Sequence, residues 1–450
     1  MVRVTDMTHG RPIRLILLFS LPLMLGSVFQ QLYTIVDTII IGRGVGMQAL
    51  ASIGAADWIN WLVLWGLQGF TQGFAILAAQ EFGAGAYDRL RRVLAMIVKL
   101  SCWFGIAVTI ISLLLVRPLL TLLHTDPAVF GGAQTYLYVQ FGGSLIIIAY
   151  NMAAAVLRCL GDSRTPLFAI IAASFANIAL DLLFVMGFGW GIFGASFATV
   201  LAQLIAFLLC LRSLRRLPFV QLTKADWKTD PAILLHLCRL GIPTGLQMSM
   251  ITLGGMVLQS VLNGFGVVFV AGYTAANKLY GILESASVAF GYAMTAYMGQ
   301  NRGARNAARI DAGIRAVLVL SAEFTVAIVT AMLLAGKPLL GLFLSTEEAG
   351  AADALAVAYQ YLMVLMAFLF ALFMLQAYRS SLQGLGEMTV PTLSGFAEML
   401  MRMGAALVLP VFIGKSGVFF AEGAAWVCAA ALNLVWYYMR IGKIKRDMLK

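Results

Sequence analysis

Long apolar segments separated by short polar connections run along nearly the whole chain. An α-helix needs about 20 predominantly apolar residues to cross a hydrocarbon layer about 30 Å thick, and these segments meet that length. We therefore predict an all-α membrane protein with twelve transmembrane helices and no soluble domain. The predicted helices span residues 13–41, 49–78, 90–116, 130–157, 166–188, 192–213, 232–262, 267–298, 309–335, 354–382, 391–413 and 417–440.

Composition supports the same class of protein. Hydrophobic residues make up 61% of the chain and charged residues 11%, whereas soluble proteins carry about 25% charged residues. The five cysteines are scattered, and no pair has the spacing of metal ligands. We therefore expect packing roles for the cysteines and no metal site other than one for Na⁺.

The basic residues are distributed unevenly between the two predicted sides of the membrane. Of the 31 Lys and Arg residues, 25 lie on the cytoplasmic side if the N-terminus is cytoplasmic, and Arg379 is counted there in the connection between the tenth and eleventh predicted helices. Lys278 and Arg402 lie within helices. The opposite side carries Arg43, Arg117, Lys337 and Lys415. This asymmetry predicts two cytoplasmic termini, and contact between basic loops and anionic lipid explains the net charge of +11 without a nucleic-acid partner.

The second half of the chain repeats the first. Four motifs match in order, at a nearly constant separation of about half the chain length. They pair Leu21-Pro22 with Ile242-Pro243, Ala51–Ala56 with Ala271–Ala276, Gln80–Ala84 with Gln300–Ala304, and Leu160–Pro166 with Leu385–Pro391. Since six helices return the chain to the same side, we predict parallel lobes at 1–215 and 236–450, joined by a cytoplasmic linker at 216–235. Such repeats are typical of transporters that bind substrate between two rocking halves, whereas channels more often surround a pore with several equivalent units.

Two acidic residues inside predicted helices of the first lobe are candidates for ion coupling. Asp37 follows Pro22 at the same sequence separation as Asp181 follows Pro166. Measured from the prolines, each lies about 22 Å along its helix. Charged residues within a bilayer are costly and usually functional. The pair predicts a cation or proton site, and hydrogen-bonded structural carboxyls are the alternative.

Polar side chains at helical spacing extend this candidate site. One stripe on the first helix holds Gly26, Gln30, Tyr33 and Asp37. Asn177 lies four residues before Asp181 and shares its helix face, while Asn151 and Thr199 add oxygen ligands from two further helices. These oxygens suit a hard cation such as Na⁺, and a carboxyl in an apolar site can also hold a proton. Both ions stay open, and helix packing is the alternative role for Asn151 and Thr199.

Several motifs together resemble the multidrug and toxic compound extrusion (MATE) family of bacterial transporters. They are LPLMLGSVFQQLYTIVDTIIIGRGVG at 21–46, QEFGAG at 80–85, LRCLGDSRTP at 157–166, NIALD at 177–181 and GQNRGA at 299–304. The resemblance covers essentially the whole chain. It implies two six-helix lobes around a central cavity and export of organic, often cationic, compounds driven by inward movement of Na⁺ or H⁺.

The resemblance also implies roles for individual residues. Those that fall where MATE proteins place their amino-terminal cation and proton network are Tyr33, Asp37, Asn151, Asn177, Asp181 and Thr199. At the repeat separation, Asp37 corresponds to Leu258 and Asp181 to Ala406. Because the second half lacks this acidic pair, we expect coupling chemistry mainly in the first lobe.

The second half carries its own polar residues inside predicted helices. Glu398 and Arg402 are four residues apart with Glu first, a favourable spacing for an ion pair, and we predict a structural role for them. Glu284 and Lys278 either face the cavity or brace it. The residues that we predict to line the substrate cavity are Gln30, Tyr33, Asp37, Met256, Glu284 and Phe290.

We therefore expect a cation-coupled antiporter, driven by Na⁺ or H⁺, that exports amphipathic organic cations by rocker-switch alternating access. A flippase for lipid-linked oligosaccharides from the same broad superfamily is the alternative, although its basic cavity and extra helices are not indicated here. Enzyme function is not expected, because no HExxH motif or nucleophile elbow is present. We expect a monomer in the bacterial inner membrane that contacts membrane lipids and needs no cofactor beyond the coupling ion.

Overall fold

The computed structural model describes residues 4–343 and 350–449, and these are almost entirely α-helical. Arg3 and Lys450, which the charge analysis places on the cytoplasmic side, lie outside the described residues. The α-helices are α1 (Pro12–Gly44), α2 (Met47–Gly83), α3 (Tyr87–Leu122), α4 (Pro127–Gly142), α5 (Ser144–Cys159), α6 (Arg164–Asp181), α7 (Gly191–Arg215), α8 (Pro231–Asn263), α9 (Val267–Gly303), α10 (Ala307–Gly341), α11 (Ala351–Gly384), α12 (Thr389–Ile413) and α13 (Phe420–Leu449). The all-α prediction is confirmed.

These helices follow the twelve predicted segments in order, with one difference. The fourth predicted helix is broken into α4 and α5, whose axes differ by 50°. Gly143 lies at the break, and a Cβ atom there would come within 2.5 Å of Val200 on α7. The apolar pattern continues through the break, so hydropathy does not detect it.

The apolar character of the helices fits a membrane environment. Ten helices within the described residues are long and apolar enough to cross a membrane, and the bent pair α4–α5 gives an eleventh. The remaining predicted segment is α9, which has 37 residues and is therefore long enough to cross a membrane. It is more polar than the other segments because it carries Lys278, Glu284 and Arg302.

Pro22 and Pro243 lie inside helices rather than at their first turns. The helix α1 begins at Pro12, well before Pro22, whereas α6 begins immediately before Pro166. Asp37 therefore lies farther from the start of its helix than Asp181 does. The equal depth of the two carboxyls in the membrane stays a prediction. A proline removes one backbone hydrogen bond in a helix interior, and here the helix continues past it.

The first of two compact units contains residues 4–6 and Leu21–Gly245. Within it, α2 packs against α3, α4 and α5, and α6 packs against α7. Ala56 and Ile59 on α2 share a buried cluster with Leu120 on α3 and Leu137 on α4. Burial of these apolar side chains between helices holds α2 in the middle of the unit.

Two glycine pairs in this unit let α2 and the first part of α8 meet backbone to backbone. A Cβ atom at Gly73 would lie 2.6 Å from Gly241 Cα, and one at Gly69 would lie 2.7 Å from the carbonyl oxygen of Thr244. Gly241 and Gly245 are spaced four residues apart, as are Gly69 and Gly73. This is the small-residue spacing that permits close helix packing in membranes.

The connection between α7 and α8 is also held within this unit. Residues Lys224–Trp227 form a short 3₁₀ turn in which the Asp226 carboxylate accepts from the backbone N–H and the hydroxyl of Thr223. Lys99 on α3 donates to the Trp227 carbonyl oxygen at 2.5 Å and to the Thr229 hydroxyl at 2.8 Å. The connection is therefore fixed to α3 by specific polar contacts.

The second unit contains Met7–Ser20, residues 246–343 and residues 350–449. In it, α11 packs against α9, α10 and α13, and α12 packs against α13. The segment before α1 is held by α9 and α10: Met7 N–H donates to Gln300 Oε1 at 2.8 Å, and Arg309 donates to the carbonyl oxygens of Met7 and Gly10. The lobes predicted at 1–215 and 236–450, with a linker at 216–235, stay a prediction.

Candidate functional site

The structure brings the two predicted carboxyl groups of the first unit together. Asp37 on α1 and Asp181 at the end of α6 lie within hydrogen-bonding range of each other. Asp181 is fully buried and Asp37 is half-buried. No N–H or O–H group of the described residues donates to either oxygen of Asp181 or to Oδ1 of Asp37. Two ionised carboxylates can only accept, so a hydrogen bond between them requires a proton on one of them.

Apolar packing one turn beyond each carboxylate holds this pair in place. Ile41 lies four residues after Asp37, and Val185 lies four residues after Asp181. Both belong to one buried cluster that also contains Ala49 on α2 and Ala195 on α7. The cluster therefore joins the C-terminal part of α1 to the turn that follows α6.

The backbone changes character directly after Asp181. Residues Leu182–Gly187 form a π-helical turn, and Gly189 and Gly191 then adopt positive φ angles of 68° and 56°. Isolated π-helical turns are frequent at functional sites because they re-aim side chains within a helix. The sequence predicted a helix over 166–188, and the structure has one apolar helical span over Arg164–Gly187, whose last six residues are π-helical.

Two tyrosines lie beside the carboxyl pair. The Tyr33 side chain lies near Gln30 and Thr34 and within electrostatic range of Asp37 and Asp181. Tyr136 on α4 accepts a hydrogen bond from Asn60 Nδ2 at 3.2 Å. Sequence analysis found Tyr33 but missed Tyr136.

Sequence analysis also missed two polar residues on α2. Asn60 contacts Tyr136, and Asp57 lies within electrostatic range of the same hydroxyl. Asp57 is an acidic residue in a predicted transmembrane helix, which is the signal that identified Asp37 and Asp181. The same criterion therefore selects Asp57 when it is applied to every helix.

The predicted amide and hydroxyl ligands differ in their surroundings. Asn177 is 1% exposed, and neither polar atom of its amide has a hydrogen-bond partner among the described residues. Asn151 donates to the Ile147 carbonyl oxygen at 2.9 Å, and Thr199 donates to Ala195 at 3.2 Å, so each bonds to its own helix. Asn177 thus has polar atoms available to an ion, and the ligand roles of Asn151 and Thr199 stay predictions.

The residues predicted for the substrate cavity lie in different environments. Gln30 is exposed on α1, and Met256 on α8 is half-buried. Phe290 is 1% exposed and packs against Phe324 and Phe373, with ring centroids 5.1 and 5.8 Å away. Phe290 is therefore a core residue of the second unit in this structure, because it has almost no accessible surface, and its cavity role stays a prediction.

The second unit contains a buried network of charges around the predicted Glu398–Arg402 pair. Arg402 reaches Glu398 at 3.0 Å and Glu422 at 2.8 Å, while Arg379 reaches the other oxygen of Glu398 at 2.5 Å. Glu284 hydrogen-bonds with the neighbouring Tyr280 and lies within electrostatic range of the network. The predicted pair is thus part of a larger cluster.

The position of Arg379 differs from its assignment to a cytoplasmic connection. It lies within α11, and its side chain is 4% exposed. A count of basic residues assigns every Lys or Arg near a helix end to the neighbouring connection, whether its side chain is buried or exposed. A buried guanidinium requires a carboxylate partner, and Glu398 supplies it for Arg379. The prediction that Arg379 lies in a surface connection is therefore wrong.

Comparisons with known proteins cover nearly the whole chain. The MatE family model matches residues 22–183 and 243–408. The chain is 31% identical to the probable multidrug resistance protein YpnP of Bacillus subtilis, over 99% of this chain and 98% of that protein. It is 25% identical to the probable multidrug resistance protein NorM of Thermotoga maritima, over 93% of this chain and 90% of that protein.

Solved structures show the same fold. A crystal structure of MATE in complex with MaL6 has a TM-score of 0.91 at 24% identity and covers 99% of this chain and 100% of its own. A MOP-superfamily transporter from Pyrococcus furiosus also has a TM-score of 0.91 at 24% identity, over 98% of this chain and 99% of its own. These matches confirm the twelve-helix fold, and the family model and the relatives confirm the resemblance seen in the motifs. The chain belongs to the MatE family of multidrug and toxic compound extrusion transporters.

Proposed function

We propose that this protein is a cation-coupled antiporter that exports amphipathic, often cationic, organic compounds by rocker-switch alternating access. The observation that supports this most strongly is the contact between the Asp37 and Asp181 carboxyls in a part of α1 and α6 surrounded by apolar residues. Two relatives are named probable multidrug resistance proteins, which supports export of drugs.

The carboxyl pair has the chemistry of a site that binds and releases one positive charge. Adjacent carboxylates in a poorly solvated place repel each other, and either a proton or a Na⁺ ion relieves that repulsion. Asn177 and Tyr33 add neutral oxygens beside the pair. The same atoms thus serve either ion, so the transport assay must vary both gradients.

Coupling to export requires that the inorganic cation and the organic cation disfavour each other. Two unit charges about 8 Å apart at an effective dielectric constant of about 20 repel by about 2 kcal/mol. Such a repulsion changes affinity roughly thirtyfold, which is within the usual range of coupling between two sites. Electrostatic repulsion alone therefore suffices to exchange one cation for the other.

Transport into proteoliposomes under separately imposed Na⁺ and proton gradients tests the proposal. The wild-type protein should move tetraphenylphosphonium against its gradient under one of the two ions, and Asp37→Asn and Asp181→Asn should each abolish that movement. Asp88→Asn, a change at a carboxylate whose side chain is 87% exposed on α3, is the matched control and should transport normally. Unchanged transport by Asp37→Asn would remove this pair from the mechanism.

The flippase alternative predicts a different cargo. A flippase would move a lipid-linked oligosaccharide across the bilayer and leave tetraphenylphosphonium in place. The acidic residues of the first unit favour a cationic cargo, and a direct comparison of the two substrates in the same vesicles separates the functions. We further propose a monomer in the bacterial cytoplasmic membrane with both termini cytoplasmic. The asymmetry of the basic residues supports the cytoplasmic side of the termini.

A further inference from the structure

A carboxylate and three tryptophans lie on one side of α2. Trp61 follows Asp57 by four residues and Trp65 follows Trp61 by four, so the three side chains share a helix face. The Trp58 ring packs edge-on against Trp61 with centroids 5.3 Å apart. Trp61 and Trp65 are 44% and 47% exposed, and Asp57 is half-buried. The face formed by Asp57, Trp58, Trp61 and Trp65 is called the α2 aromatic face below.

The depth of the α2 aromatic face is unusual for tryptophan. Since α2 runs from Met47 to Gly83, Trp65 lies at its midpoint and Trp58 lies about 10 Å from that midpoint. Both lie inside a hydrocarbon layer about 30 Å thick that is centred on the helix. Membrane tryptophans concentrate at the two interfaces, where the indole N–H reaches polar groups. The Asp57 carboxylate lies about 12 Å from the same midpoint, and a carboxylate within the spanning part of a helix faces protein or water rather than lipid. The face therefore has the character of a binding surface rather than of an interfacial anchor.

We propose that the α2 aromatic face is the docking site for the organic cation, a lipophilic monovalent cation with aromatic or quaternary substituents. This inference rests on the proposed antiport function and assigns its substrate to particular residues. The Asp57 carboxylate complements the positive charge. The indole faces of Trp58 and Trp61 attract it through cation–π contacts, and their apolar area packs against the substituents.

The position of the α2 aromatic face explains how binding of the organic cation affects binding of the coupling ion. Asn60, three residues after Asp57, donates to the Tyr136 hydroxyl, and that hydroxyl lies within electrostatic range of both Asp57 and Asp37. A cation docked at Asp57 and an ion held at Asp37 and Asp181 thus act on the same small region of the first unit. Occupation of one position electrostatically disfavours occupation of the other.

Equilibrium binding to the purified full chain in lipid nanodiscs tests the assignment. The probes are radiolabelled tetraphenylphosphonium and the neutral triphenylphosphine oxide. Asp57→Asn should weaken tetraphenylphosphonium binding about tenfold or more and leave binding of the neutral compound unchanged. Trp61→Ala should weaken the cation about fivefold, and Trp61→Phe, which keeps an aromatic face, should restore most of the affinity. Trp103→Leu on α3, where the indole is 54% exposed, is the matched control and should bind normally.

The outcomes separate this inference from the proposed function. If the wild-type protein transports tetraphenylphosphonium but Asp57→Asn and Trp61→Ala bind it within about twofold of wild type, the docking site is overturned and the antiport function stands. An equal loss of the charged and the neutral probe in Asp57→Asn would also overturn charge recognition by this carboxylate. If the wild-type protein neither binds nor transports the cation, both the docking site and the proposed substrate class are wrong.

Discussion

Arg379 on α11 donates to Glu398 on α12 at 2.5 Å, and both side chains are 4% exposed. Glu398 also accepts from Arg402 through its second oxygen. Each guanidinium therefore neutralises one side of a single buried carboxylate. The contact links two helices that sequence analysis had joined only through a connection on the membrane surface.

Replacing Arg379 with Gln should destabilise the second unit strongly. Removal of one partner leaves a buried charge incompletely paired, which typically costs about 3–5 kcal/mol. Chemical denaturation of the purified protein measures the loss. The control Asp88→Asn breaks an exposed ion pair with Arg91 and should cost less than about 1 kcal/mol. Similar losses for the two variants would contradict an energetic role for the buried network.

The glycine contact between α2 and α8 should tolerate no added methyl group. Gly73→Ala places a Cβ atom against the Gly241 backbone, so the helices must separate, at an expected cost of about 1–3 kcal/mol. Gly54→Ala on the same helix meets nothing within 4 Å and is the matched control, which should be neutral or slightly stabilising. Thermal unfolding of the two variants checks this. Equal unfolding temperatures for Gly73→Ala and wild type would refute the close packing.

Binding of the organic cation should release the coupling ion. If the Asp37–Asp181 pair and the organic cation exclude each other, titration with tetraphenylphosphonium displaces up to about one H⁺ or one Na⁺ per protein. A pH indicator in weak buffer detects the proton, and equilibrium dialysis with radioactive sodium detects the metal ion. Asp37→Asn should release neither ion. Release that persists in this variant would place the displaced ion elsewhere.

The 3₁₀ turn before α8 should loosen in acid. Burial disfavours the charged form of Asp226, but hydrogen bonds from Thr223 and the nearby Arg91 outweigh it and lower the pKa of this carboxyl from its ordinary value. A lowered pKa in the folded state contributes stability that is complete above the unfolded value, about 3.9, and disappears as pH falls through the folded value.

Hydrogen exchange of residues 223–229, corrected for the intrinsic rate at each pH, measures this loosening. Protection should fall as pH decreases below about 4 in the wild type. Asp226→Asn should show lower protection at neutral pH and little further change in acid. Acid-dependent protection that survives in Asp226→Asn would assign the effect to another group.

The sequence alone was enough to predict the helices, because a membrane-spanning helix must be apolar over its length and satisfies its own backbone hydrogen bonds. Each predicted segment could therefore be recognised without its neighbours. The break at Gly143 and the π-helical turn after Asp181 could not be recognised in this way. At the break, the close approach of Val200 on α7 to Gly143 is a contact between helices, which the pattern within one helix does not reveal.

Only some of the residues in the candidate site and in the buried charge network could be predicted from the sequence. Acidic residues inside membrane-spanning helices are few, and this criterion identified Asp37 and Asp181 but was not applied to Asp57 on α2. Helical spacing, by contrast, reveals only neighbours on the same helix, and so it identified the Glu398–Arg402 pair but not the partners Arg379 and Glu422. Tyr136 was missed for the same reason, since an isolated tyrosine in an apolar helix has no distinguishing pattern.

The sequence by itself determined the class of protein, the number of membrane-spanning segments and two carboxylates as candidates for ion coupling. Only the tertiary structure decided which polar side chains from different helices lie in contact. The carboxyls of Asp37 and Asp181 lie together although they differ in distance from the starts of their helices, because Ile41 and Val185 pack into one cluster just beyond them. Helix formation is a local property of the chain, whereas contact between two side chains far apart in the sequence depends on how whole helices pack.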